Sequence, residues 1–100
     1  MNNRSIFNAK TASEIVAVTF DFASEYAVGE TCTSASVTAV VYSGADPDAS
    51  SLVATSPSLS QTRVTQTLTG GVAGVTYSLT ATALSSAGKT RSMTGFVSVV

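Results

Sequence analysis

Six acids, five bases and one cysteine are all the charge chemistry that this 100-residue chain offers, and it has no histidine. Ser-His-Asp and Cys-His relays are therefore excluded, and imidazole metal sites with them. Asp46 and Asp48 flank Pro47, a spacing in which two carboxylates and neighbouring carbonyls would reach a calcium ion. Calcium wants six or more oxygens, whereas Asp-Pro-Asp between apolar runs is ordinary turn chemistry. The remaining acids, Glu14, Asp21, Glu25 and Glu30, show no spacing that converges two carboxyls on one cleft, as glycoside hydrolysis requires. Cys32 has no cation or helix start beside it in sequence to lower its pKa, so it reads as an inert strand residue. The glycines of GGVAGVTY (70–77) match neither GxxxxGK[ST] nor GxGxxG, and no helical pattern comes after them. The expectation is a chain without catalytic residues, cofactor site or metal ligands.

Composition points to strands. Apolar residues make up 44% of the chain, much of it Ala and Val, and charged residues only 11%, against roughly 25% in an average domain. Val and Thr suit a pleated, half-buried surface. Such a composition also argues against disorder. The five bases, Arg4, Lys10, Arg63, Lys89 and Arg91, are scattered over a net charge of −1, so no cationic cluster exists to displace counterions from nucleic acid. No apolar run approaches the ~20 residues of a membrane span, and the start lacks the apolar core of a signal peptide. One cysteine permits no internal disulfide. One domain, without nucleic acid or membrane as partner, is expected.

Period-two patterns then place the elements. Residues 1–13 are polar apart from Ile6 and Phe7 and read as an extended N-terminal arm, with one domain over 14–100. Val16, Val18, Phe20 and Phe22 share one face of a first strand. A connection through Gly29 comes next, with Tyr26 and Val28 expected to fold back on the core. Residues 31–42 form a second strand, facing inward with Ala35, Val37, Ala39 and Val41, while Cys32 and Val40 on the other parity blur the assignment. Residues 51–55 read as a short strand, and Pro57 confines the residues after it to an edge or a turn. Val64, Gln66 and Leu68 alternate in 61–69, and Tyr77, Leu79, Ala81 and Ala83 in the strand after the glycines. SSAGK (85–89) closes a hairpin onto a last strand carrying Met93, Val97 and Val99, in which Gly95 marks a bulge. About seven strands with turn signals every 8–12 residues or so, and no helix, predict an all-β, immunoglobulin-like Greek-key sandwich.

Within that sandwich Val72, Gly74 and Tyr77 fit the corner where one strand crosses to the other sheet, the tyrosine hydroxyl bonding to backbone upstream. Ile6 and Phe7 form a candidate docking element, an arm that orders on a neighbouring subunit. Arg63 and Arg91 lie on strand faces, where arginine either guards an edge or anchors an interface.

Two longer stretches carry a resemblance. KTASEIVAVTFDFASEYAVGETCTSASVT, with Asp21, Phe22, Gly29, Glu30 and Thr31 at its turn, resembles the opening of short immunoglobulin-like proteins of tailed bacteriophages. VTQTLTGGVAGVTYSLTATALSSAGKT resembles their later part, so the likeness runs over roughly residues 9–98. Cys32 departs from the pattern, at a position where an aliphatic residue is expected. The resemblance implies a non-enzymatic virion structural protein assembled in the host cytoplasm. Its expected role is a tail/fibre adaptor in the tail or head–tail region, bound to tail, fibre, portal or capsid proteins in multiple copies on a symmetric assembly. A capsid decoration protein is the alternative within that class. A carbohydrate- or host-surface-binding module is the alternative outside it, disfavoured by the absence of tryptophan for a sugar platform.

Overall fold

The computed structural model describes residues 4–100, of which the side chains from Ile6 onward are placed. Met1–Asn3 of the expected arm lie outside the described residues. The chain is all-β. Among the described residues seven strands, β1 (Arg4–Ile6), β2 (Val16–Asp21), β3 (Cys32–Ser43), β4 (Ser58–Ser60), β5 (Arg63–Leu68), β6 (Thr76–Ser85) and β7 (Thr90–Ser98), are joined by loops and two 3-10 turns, Ala23–Glu25 and Ala49–Val53. They form two sheets, one of order β1-β7-β6-β3 and one of order β2-β5-β4. All pairings are antiparallel except that of β1 with β7.

The core is the sum of the inward parities. Phe20 and Phe22 from the first sheet-forming run, Val64 and Leu68 from β5, Tyr77 and Leu79 from β6, and Val97 and Val99 are all almost fully buried. Each such side chain contributes about 1.5–3 kcal/mol through the apolar surface it removes from water. Ala81 and Ala83 on β6 are also buried and small. Gln66 holds the middle inward position of β5, fully buried; its Nε2 donates to the Thr55 carbonyl at 2.8 Å and the Thr67 carbonyl at 2.9 Å. The amide thereby ties the loop before β4 to β5, satisfying two carbonyls that would otherwise be costly to bury.

Four expectations are corrected. Residues 51–55 are not a strand; Ala49–Val53 is a 3-10 turn that inserts one deeply buried side chain, Leu52. The Ser51 N–H bonds back to the Asp48 carbonyl at 3.0 Å, so the Asp-Pro-Asp turn winds directly into this helical turn and leaves no extended stretch to pair. Gly95 is no bulge, because β6 and β7 run in unbroken register through Leu79↔Gly95. A Cβ there would collide with the Phe7 ring, so the glycine is a slot that the aromatic fills. Val28 is fully exposed rather than folded on the core, although Tyr26 does stack on Phe22. Finally, residues 4–10 pair with their own domain: β1 lies beside β7, the Phe7 N–H bonds to the Phe96 carbonyl at 2.9 Å, and Lys10 bridges to Val99.

Candidate docking surface

Tyr77 enters the core from β6 with its hydroxyl at the loop that precedes that strand. The Val72 N–H donates to Tyr77 Oη at 2.8 Å, and the hydroxyl donates to Asp46 Oδ2 at 2.7 Å. Asp46 Oδ1 accepts the Asp48 N–H at 2.9 Å. Asp46 thus ties the Asp-Pro-Asp turn to the corner, one carboxylate oxygen serving each. Burial, reinforced by the bond to Asp46, holds the Tyr77 phenol above its ordinary pKa. Gly74 supplies the left-handed backbone of the corner (φ +88°), and its N–H bonds to the Val99 carbonyl at 2.7 Å. Val72 is partly exposed and contributes backbone rather than packing.

Lys10 completes this end of the molecule. It is buried to 1% exposure, and its Nζ donates to the carbonyls of Gly70 and Thr11. A lysine at an otherwise polar N-terminal position carried no signal of burial; only the parallel bridge to Val99 places its stem under the glycine corner.

The opposite end holds the remaining polar cluster. The Tyr26 hydroxyl and Cys32 Sγ lie 3.3 Å apart, and Glu30 Oε1 accepts the Ala27 N–H at 2.8 Å. The Ser85 hydroxyl first, then the Ala27 N–H, lower the Glu30 carboxyl below its ordinary pKa, with Lys89 and Arg91 adding positive potential. Burial and the thiol push the Tyr26 phenol far up. The GET turn is held against the β6–β7 hairpin by Thr31, whose N–H donates to Ser86 Oγ at 3.1 Å and whose carbonyl accepts the Ser86 N–H at 2.7 Å; no group of three or more metal-ligating side chains exists among the described residues.

The expected interface residues separate. Phe7 is half-buried and meets Phe20 edge to face at 5.3 Å. Ile6, its neighbour, is 88% exposed. Arg63 pairs with Asp21 at 3.5 Å on an exposed rim of the smaller sheet, and Arg91 is exposed on β7 near the hairpin. The structure does not gather these four into one patch.

What it does gather is a row that sequence reasoning missed. Ile6, Phe96, Ser78 and Val40 stand in register across β1, β7, β6 and β3. Tyr42 leans on Phe96 with ring centroids 4.9 Å apart. Val40 is 58% and Tyr42 66% exposed. The outer face of the four-stranded sheet, lined mostly by Ser and Thr, therefore carries an apolar band. Aromatic and aliphatic residues on the outward parity were its only sequence signal, and cross-strand register was needed to join them. Apolar, aromatic-bearing patches rimmed by hydroxyls are the chemistry of protein contact rather than of catalysis.

Residues 10–98 match the model of the family described as podophage GP4 fiber-tail adaptor protein gp77. No curated protein matches the chain in sequence.

Proposed function

The chain belongs to the podophage fibre-tail adaptor family, and from that premise we propose that it is a non-enzymatic joint between the tail and the fibres of the particle. The family indicates a structural tail component that contacts other tail and fibre proteins. Several copies on a symmetric ring would each supply weak contacts that add through effective concentration, so no single interface need be strong. The observation that carries this reading is the match over residues 10–98. The band formed by Ile6, Phe96, Val40 and Tyr42 supports it by giving the chain a face suited to a protein neighbour.

Quantitative mass spectrometry of purified particles tests the proposal. A dozen or so copies, co-purifying with tail and fibre proteins after capsid removal, are expected of a cyclic tail ring. Hundreds of copies that remain with the capsid shell would make it a decoration protein instead, and absence from the particle would end the structural reading altogether.

A further inference from the structure

The two sheets leave four edges, and they are not alike. β1 and β4 are three residues each, and Pro57 precedes β4. β2 is six residues and ends in Asp21, engaged by Arg63. Short strands, prolines and charges are the usual guards against edge-to-edge pairing. β3 is twelve residues long and contains neither a charge nor a proline. Register shifts against β6 occur only at its ends, between Cys32 and Ser34 and between Val41 and Ser43, so Ser34–Val41 is a regular, open ladder edge.

Its inner face is also unsealed. Ala35, Val37 and Val41 point toward the core but are only half-buried, while their partners on β6, Ala83, Ala81 and Tyr77, are fully buried. Ala39, between Val37 and Val41, is buried and the Ala49–Val53 turn packs against this strand, so the apolar surface left at the edge is that of Ala35, Val37 and Val41.

We propose that β3 pairs antiparallel with β3 of a second copy of this chain, about a two-fold axis through Thr38. That this pairing serves a tail assembly rests on the adaptor reading; the pairing itself is read from the strand. A two-fold axis normal to the sheet must set a residue opposite itself, because directly opposed residues point to the same face. With Thr38 on the axis, the outer row pairs the Thr38 hydroxyls with each other and Val40 with Ser36. The inner row pairs Val37 with Ala39 and Val41 with Ala35. Each apolar pair sets a larger side chain against a smaller one, the arrangement that lets neighbouring strands pack without gap or clash. An axis through Val37 would instead oppose Ala35 to Ala39 and Val37 to itself. The missing charge matters for the same reason: a charge on such an axis faces its own like. The fit is to a second copy, since the strand's own pattern supplies its complement.

Sedimentation velocity of the full chain, across a concentration series, reads the pairing. The wild type is expected to form a concentration-dependent dimer. Thr38→Lys and Thr38→Glu should each be monomeric, and an equimolar mixture of the two should dimerise again, because opposite charges then meet at the axis. A wild type that stays monomeric throughout, or a T38K chain that dimerises like the wild type, overturns the proposal. Should either charged variant unfold by circular dichroism, a cysteine pair decides. Mild oxidation should link C32S/T38C into a covalent dimer and leave C32S/S36C monomeric; the reverse pattern overturns the register. Particle mass spectrometry separates this from the adaptor reading. Wild-type chain present in the tail but monomeric in solution sinks the self-pairing alone, whereas a dimer in solution that is absent from particles sinks the adaptor role alone. A T38K chain that is lost from particles while the wild type is monomeric would assign the edge to a strand of a tail or fibre protein, against a second copy.

Discussion

Asp46 and Tyr77, 31 residues apart in sequence, are joined by a 2.7 Å hydrogen bond in which the phenol donates to the carboxylate. The same phenolic oxygen accepts from Val72, so one side chain links the turn after β3, the glycine corner and β6. Removing the hydroxyl leaves two groups unpaired in a partly buried site. Tyr77→Phe is therefore expected to cost about 1–3 kcal/mol, or roughly 4–8 °C in Tm per kcal/mol for a domain of this size. Asp46→Asn retains an acceptor and should cost less than Tyr77→Phe. Equal stability of wild type and Tyr77→Phe in urea unfolding would show that the corner is held by its backbone alone.

The same tyrosine sets an alkaline limit. Its folded pKa lies above the ordinary 10.0, because burial and Asp46 disfavour the phenolate. A group raised on folding contributes stability in full below its unfolded pKa and loses it as pH rises through the folded value. The contribution of Tyr77 should therefore be flat below pH 10 and fall above it. Tyr26, also raised, adds to the decline. Tyr77→Phe should flatten the slope only in part, which urea unfolding at a series of alkaline pH values would measure.

The acid side has the opposite sign. Asp21 is held below its ordinary 3.8 by the Ala23 N–H and then the Thr62 hydroxyl, and Glu30 below 4.5 by Ser85 and Ala27. Carboxyls depressed on folding contribute stability above their unfolded pKa and lose it as pH falls through the folded one. Unfolding midpoints should drop below about pH 4–5. Glu30→Gln should reduce that dependence while lowering stability near neutrality; an unchanged acid slope would show that Glu30 contributes nothing to it.

Gly95 and Phe7 form a slot and its filling. Gly95→Ala drives a Cβ into the Phe7 ring and should cost about 1–3 kcal/mol through overpacking. In a Phe7→Leu background the same change should cost clearly less, so a double-mutant cycle is expected to show coupling. Additive effects would mean that the ring does not occupy the slot.

Ile6 separates assembly from folding. At 88% exposure, Ile6→Ser should leave the unfolding midpoint within about 0.5 kcal/mol of wild type. If the outer band docks on a tail or fibre protein, the same variant should be depleted from purified particles relative to co-expressed wild type. Equal incorporation would exclude Ile6 from the interface.

Much of the architecture was legible in order along the chain. Inward parity in β2, β5 and β6 comes directly from alternation, because a side-chain period of two translates pattern into face with no further information. The resemblance over roughly residues 9–98, which the family match covers from 10 to 98, was carried by turn and corner residues, and these are set locally by backbone conformation. Residues 51–55 misread because a short apolar run does not tell a strand from a single helical turn that inserts one leucine. Gly95 misread because a glycine in a strand says only that space is needed, and the ring that takes the space comes from residue 7. Lys10 under the Gly70 carbonyl, the row from Ile6 to Val40, and the unguarded length of β3 all depend on which strands lie side by side. Strand order is fixed by contacts between residues far apart in the chain, so local pattern fixes each strand's faces while only the folded sheet decides what those faces meet.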